Sequence, residues 1–320
     1  MGVSFSVVIP THNRRETLLA AIASALDQTR PPAEVLVVAD GCSDGTQDAV
    51  RSLGDRRLSL LDLPKAPGFG YGNRNAAVDA AAGDVVAWLG DDDLYLPDHL
   101  ARAGELFDRL DVEIVQANAC IVHPDDRLEP LGMDWRVPWY RDLLLGNRSR
   151  TPMSAVSHRT TLPGQVGGWD PGSAQGGDMD LWQRMLQAGA RTAMLDEPTL
   201  LHLRARDRDQ PYSELVAQSG RYLELLRDPG SLTRLRDEIA LAGESQAAHS
   251  EQHVANLERL VDEYGRWART LETEATVLRQ RSQQLTELQQ GGWWKLRSRL
   301  LPLLDLYWRL RGRPGGRRLS

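Results

Sequence analysis

The sequence predicts an α/β fold, a mostly parallel sheet flanked by helices, with a helical extension at the C-terminal end. Three observations predict it. Short apolar runs recur at residues 5–9, 35–39, 58–61 and 85–89, each followed by a polar or turn segment. Helix signals fill the gaps between them. The texture then changes near residue 228, where a seven-residue repeat replaces the earlier alternation.

The apolar runs are near-continuous rather than alternating, which is the pattern of strands buried on both faces of a parallel sheet. Between the first two, Leu18, Ile22, Ala25 and Leu26 fall at helical spacing behind Asn13, a candidate N-cap. After the second run, Ser43, Asp44 and Thr46 offer caps for a helix carrying Ala49, Val50 and Leu53. Strand, helix, strand with short loops is the βαβ signature of a doubly wound sheet. A further strand is expected over 112–122 and a helix from Asp178 to Ala188, with irregular chain over 135–169. The first domain is expected to span 1–226 and to close at Asp228-Pro229-Gly230.

Beyond it, Val254, Val261, Ala268, Ala275 and Ser282 recur every seven residues, with Leu257, Tyr264, Leu271, Leu278 and Leu285 three positions later. These are a and d positions, so 231–290 is expected to form a coiled coil able to self-associate; a long amphipathic helix folded back on the body is the alternative. Residues 291–320 carry eight Lys and Arg against Asp305 alone. Trp293, Trp294 and Trp308 lie among those cations and leucines, a composition suited to an anionic membrane surface. The whole chain has a net charge of -6, so the body is acidic, which argues against nucleic acid as a partner. Cys42 and Cys120 have no metal-ligand spacing and read as free thiols of a reducing compartment. With no long apolar span and no signal-like N-terminus, the expected location is cytoplasmic, peripheral on the inner face of the cell membrane.

Ligands of such sheets bind outside the carboxyl ends of the strands. The segments there are Pro10-Thr11-His12-Asn13-Arg14, Asp40-Gly41-Cys42-Ser43-Asp44 and Gly90-Asp91-Asp92-Asp93. Three consecutive carboxylates repel one another unless a cation or hydrogen-bond donors offset them. Mg2+ and Mn2+ take oxygen ligands, often one or two carboxylates plus substrate phosphates. The acids therefore read either as a holder for a metal-bound diphosphate or as a solvated turn capping the helix that begins near Pro97.

These segments, in this order, resemble the family-two glycosyltransferases of the GT-A fold, a Rossmann-like nucleotide-binding architecture. The resemblance covers roughly residues 4–205. Ser6 to Arg14 is similar to that family's first strand and loop, which places Pro10, His12, Asn13 and Arg14 at the nucleotide-sugar site. Ala39-Asp40-Gly41 is similar to a motif with two acids before the glycine, so only Asp40 carries over, toward the base or ribose. Gly72-Asn73-Arg74-Asn75 resembles the loop whose arginine, here Arg74, contacts the nucleotide. Gly90-Asp91-Asp92-Asp93 stands at the DxD motif, with Gly90 where an acid is commonest. Asp92 is then the implied metal ligand and Asp91 its neighbour on ribose or metal, while His202 is placed to complete the metal shell. Gly177-Asp178 replaces a Glu-Asp pair and makes Asp178 the implied general base, with Trp169, Asp180 and Trp182 on the acceptor side.

The implied activity is inverting transfer from a nucleotide-diphosphate sugar to an acceptor hydroxyl on a saccharide, lipid-linked glycan or protein. It is metal-assisted by Mg2+ or Mn2+, in polysaccharide or glycoconjugate synthesis. No Gln-x-x-Arg-Trp segment is present, so a single addition is expected rather than processive polymerisation. Two other readings stay open. A nucleotidyltransferase would also bind nucleotide and Mg2+, but Pro10-Thr11-His12-Asn13 stands where its Gly-rich, Lys-bearing loop belongs. The losses at Ala39, Gly90 and Gly177 allow a catalytically degenerate scaffold acting through its coiled coil.

Overall fold

The computed structural model describes residues 2–146, 149, 151–173, 176–203, 212–290 and 306–307, with side chains within 248–290 described in part. In chain order the elements are β1 (Phe5–Thr11), α1 (Arg15–Leu26), β2 (Glu34–Asp40), α2 (Thr46–Ser52), β3 (Leu58–Leu63), α3 (Tyr71–Ala80), β4 (Val85–Trp88), β5 (Asp93–Tyr95) and α4 (His99–Arg109). Then come β6 (Ile114–Val122), β7 (Leu128–Leu131), α5 (Pro138–Leu145), β8 (Val156–Arg159), α6 (Leu162–Gln165), α7 (Gly177–Gln187), β9 (Thr192–Leu203), α8 (Tyr212–Arg227) and α9 (Pro229–Gln290).

Among the described residues the strands form one sheet in the order β3-β2-β1-β4-β8-β6-β9-β5, with β7 added beside β6. β1 to β4 are mutually parallel, and β6 and β9 run the same way, whereas β5, β7 and β8 oppose their neighbours. The continuous apolar character of β1 follows from cover on both faces. Phe5, Val7 and Ile9 pack with Leu18 and Ile22 of α1 and Leu100 and Phe107 of α4. Val8 points the other way, into a core with Val78 of α3 and Leu181 and Met185 of α7.

The expected irregular stretch over 135–169 contains α5, α6 and the internal strand β8, which bridges β4 and β6. Its sequence Val-Ser-His-Arg lacks an apolar run, because Ser157 and His158 occupy buried positions. His158 makes such burial tolerable by contacting the Arg159 carbonyl through Nδ1 (2.9 Å) and accepting the Trp88 indole N–H at Nε2 (2.9 Å). Desolvation lowers its pKa to about 4, so it is neutral. Trp88, Trp169 and Trp182 cluster around it at centroid separations of 4.9 to 6.2 Å. Truncating a core tryptophan of this kind costs about 3–5 kcal/mol.

Asn13 is not the expected helix cap. It adopts a left-handed φ of 55° and its Oδ1 accepts the Ser43 N–H at 2.7 Å, tying the first loop to the second. Asp44 serves the helix ends instead: Oδ2 accepts the Arg15 N–H (3.0 Å) and Oδ1 the Thr46 N–H (3.1 Å).

α8 does stop at Arg227, but helix resumes at once, with Asp228 Oδ2 accepting the Ser231 N–H at 2.7 Å. The first compact unit runs from Met1 to Ala247 because the start of α9 buries Leu235 and Ile239 with Leu215 and Tyr222 of α8. The second unit is Ala248 onward. Of the heptad positions, Leu271 and Leu278 are exposed on α9, at 43% and 55% of their full surface. The Val254, Leu257, Val261, Tyr264, Ala268 and Leu285 side chains lie outside the described residues, as does the basic tail apart from Leu306 and Tyr307. No helix among the described residues is long and apolar enough to cross a membrane.

Candidate active site

Strand register assembles the site. β1 and β4 pair with Val8 opposite Trp88, so three residues on, Thr11 meets Asp91 and its hydroxyl donates to Oδ2 at 2.7 Å. β1 and β2 pair with Thr11 opposite Ala39, which brings His12 Nδ1 to 2.7 Å from the Asp40 carbonyl. β5 and β9 pair with Asp93 opposite His202, and His202 Nδ1 lies 2.8 Å from Asp93 Oδ1.

The three acids have different surroundings. Asp91 is buried, and Asp92 keeps 24% of its side-chain surface. Arg14 bridges them, with Nη1 at 3.3 Å from Asp91 Oδ1 and 2.5 Å from Asp92 Oδ2. Asp93 is turned inward, against His202 and the hydroxyl of Ser154. Burial first, and then repulsion from Asp92, raises the Asp91 carboxyl to about 7; burial and the neighbouring Asp93 raise Asp92.

Gly90 has a local reason. A Cβ there would stand 3.0 Å from Asp93 Oδ2 and 3.3 Å from Ser154 Oγ, while the Gly90 N–H donates to that same hydroxyl at 2.8 Å. Asp93 and Ser154 together crowd the space that a side chain at this position would need.

Three consecutive residues in the first turn of α3 reach three parts of the site. Asn73 Nδ2 donates to Asp40 Oδ1 (2.7 Å), Arg74 Nη1 to Asp178 Oδ1, and Asn75 holds the Trp169 backbone with bonds of 2.8 Å in both directions. Asp40 also accepts the Lys65 ammonium (2.6 Å) and the Ala66 N–H (2.7 Å), so it anchors the strap between β3 and α3. Asp178 receives a second bond on Oδ1, from the Trp169 indole at 2.9 Å. Gly177 lies against Tyr71: a Cβ would meet the phenol ring at 2.7 to 2.9 Å, and the Gly177 N–H donates to its hydroxyl at 3.0 Å. That ring takes the room of the glutamate found in the resembling motif.

Pro10, His12, Arg14, Asp40, Arg74 and Asp91 all line one cleft of ≈ 390 Å³, together with Lys65 and Phe69. Asp92 and Asp178 adjoin it through Arg14 and Arg74. The residues expected on the acceptor side are placed differently. Trp169 and Trp182 are 1% and 0% exposed and stand behind the site as core, and Asp180 pairs with Arg184 one turn along α7 at 2.7 Å. Sequence reasoning missed Lys65, whose signal was available: it follows β3 at the same end of the sheet. Ser154 and Tyr71 carry no local signal.

Among the described residues, no group of three or more His, Cys, Asp and Glu side chains converges as a preformed metal cage. The donor set still suits a hard divalent ion, which needs only one or two carboxylates when a diphosphate supplies the rest. Arg14 already stands in as a cation at Asp91 and Asp92. The Asp93–His202 contact is of the kind that orients a ligating histidine from behind.

Comparison with known proteins agrees with this fold. S. aureus TarS residues 1–349 share the fold, with a TM-score of 0.54, 18% identity, and coverage of 74% of this chain and 70% of that one. The same protein in complex with UDP-GlcNAc gives a TM-score of 0.55 at 19% identity, covering 75% and 71%. The sheet is thus of the GT-A type. Succinoglycan biosynthesis protein ExoO of Rhizobium meliloti is 38% identical over 120 residues, 38% of this chain and 34% of that protein. The Escherichia coli UDP-Glc:alpha-D-GlcNAc-diphosphoundecaprenol beta-1,3-glucosyltransferase WfgD is 31% identical over 118 residues, 37% of this chain and 46% of that one. The chain therefore spans about a third to a half of the length of these curated relatives. A family model, Glycosyl transferase family 2, matches residues 6–159. That match takes in β1 to β8 and the segments bearing Asp40, Arg74 and Asp91 to Asp93, so residues 6–159 are of the glycosyl transferase family 2 type.

Proposed function

We propose that this chain moves a sugar from a nucleoside-diphosphate sugar to an acceptor hydroxyl, with inversion and by single addition, in polysaccharide or glycoconjugate synthesis. The observation that carries the proposal is the cleft that gathers Pro10, His12, Arg14, Asp40, Arg74 and Asp91 beside Asp92 and Asp178. Arg14, Lys65 and Arg74 give it the cations a diphosphate needs. Asp178 takes the proton of the acceptor hydroxyl while that oxygen bonds to the anomeric carbon. The bond to phosphate oxygen breaks, and its electron pair leaves with the nucleoside diphosphate. Arg74 and the Trp169 indole hold Asp178 through Oδ1 and so fix the carboxylate plane. Asp92, with Asp91 and His202, would hold a divalent ion, whose charge would offset that of the departing diphosphate. Incubation with a panel of nucleotide sugars and Mn2+ should release sugar from one of them; turnover of none, with acceptor present, would sink the proposal.

The raised carboxyls give a pH signature. An acid whose native pKa exceeds its unfolded value makes the fold bind an extra proton, so this stability is present at low pH and lost as pH climbs through about 7. Cation binding must expel that proton. Mn2+ affinity is therefore expected to rise with pH, by up to about tenfold per unit, and to level off above about 7. Titrations that give one affinity at all pH values would contradict this.

Self-association through α9 is part of the proposed arrangement. Leu271 and Leu278 are exposed, and Glu274 and Arg279 stand at flanking positions suited to pairing across a parallel seam. Sedimentation should give a dimer for the full chain and a monomer for the Leu271→Lys, Leu278→Lys double variant. Identical masses would count against the seam.

A further inference from the structure

We propose that Arg14 is an exchangeable counterion of the acid cluster, competing with a divalent cation for Asp91 and Asp92. The inference rests on the metal reading of those acids and goes beyond it. Arg14 Nη1 contacts both carboxylates, at 3.3 and 2.5 Å, so one guanidinium spans the two groups that carry the negative charge. Asp93 is engaged elsewhere, by His202 and Ser154, and does not share this cation. The Arg14 side chain keeps 43% of its surface, against 10% for Asp91, so it can leave while the carboxylate stays fixed.

Arg14 also lines the cleft with Lys65 and Arg74. A diphosphate there offers the guanidinium a second anionic partner with matching fork geometry. With the cleft empty, Arg14 serves the acids; with a diphosphate present, it can serve the ligand and vacate them. Two cations in one small site repel, so metal and Arg14 oppose each other at the acids. This is a negative coupling between the arginine and the metal.

The prediction runs against the usual expectation for a binding-site cation. Mn2+ binding to the full chain, without nucleotide, can be followed by the electron paramagnetic resonance of the free ion. Arg14→Ala and Arg14→Gln should each bind Mn2+ about tenfold more tightly than wild type, and adding Asp92→Ala to either should abolish the gain. Thermal melting checks that each variant is folded, and Mn2+ should raise the melting temperature of the Arg14 variants more than that of wild type. Folded Arg14 variants that bind Mn2+ no better than wild type would overturn the proposal and leave the metal reading standing. Absence of Mn2+ binding in wild type and variants alike, both alone and with a nucleoside diphosphate present, would instead remove the metal reading.

Discussion

Asp178→Asn is expected to lower the rate of sugar transfer by about a thousandfold while leaving donor affinity nearly unchanged. The substitution preserves shape. Asparagine keeps an oxygen that can accept the Trp169 indole (2.9 Å in the native protein) and the Arg74 guanidinium. What disappears is the capacity to take a proton. Asp178 lies outside the donor cleft and adjoins it only through Arg74, so the donor should lose little. Calorimetry of donor binding beside steady-state transfer rates separates the two effects. A fall in donor affinity as large as the fall in turnover would show that Asp178 acts by positioning Arg74 rather than as a base.

Asp92→Ala should reduce both transfer and donor hydrolysis by at least about a hundredfold. The accompanying change in stability has a distinctive sign. Asp92 is one of the charges that raise Asp91, so its removal relieves a repulsion while Arg14 remains beside Asp91 at 3.3 Å. The melting temperature should stay at or above the wild-type value as activity vanishes, which distinguishes a lost ligand from a lost fold. Unchanged metal-dependent turnover in this variant would show that Asp92 is not the metal ligand.

Much of this site was legible because parallel strands deliver their carboxyl ends to one edge. The runs at 5–9, 35–39 and 85–89 located Pro10, His12, Arg14, Asp40 and Asp91, and the register of β1 with β2 and β4 brings them into one cleft. The same rule applied after β3 leads to Lys65. β8 was invisible because its buried residues Ser157 and His158 are polar, and His158 is satisfied by Trp88, seventy positions away in sequence. The departures at Gly90 and Gly177 looked like losses from an active motif. Asp93 with Ser154 crowds the first and the Tyr71 ring the second, and no local pattern announces Ser154 or Tyr71. The resemblance implies acceptor-side places for Trp169 and Trp182; their packing with Trp88 and His158 sets both in the core instead. Asp180 likewise reads as a helix acid paired with Arg184.

The central claim is that a nucleoside diphosphate and a divalent ion bind together at the acid-lined cleft. Thermal denaturation of the full chain with a set of nucleoside diphosphates, each with and without Mn2+, tests it most directly. At a hundredfold excess over the dissociation constant, one of them should add about 2.7 kcal/mol of stability, visible as a shift of several degrees. The shift should require Mn2+ and be absent in Asp92→Ala. No shift with any nucleotide, or an equal shift without the metal and in Asp92→Ala, would contradict the account.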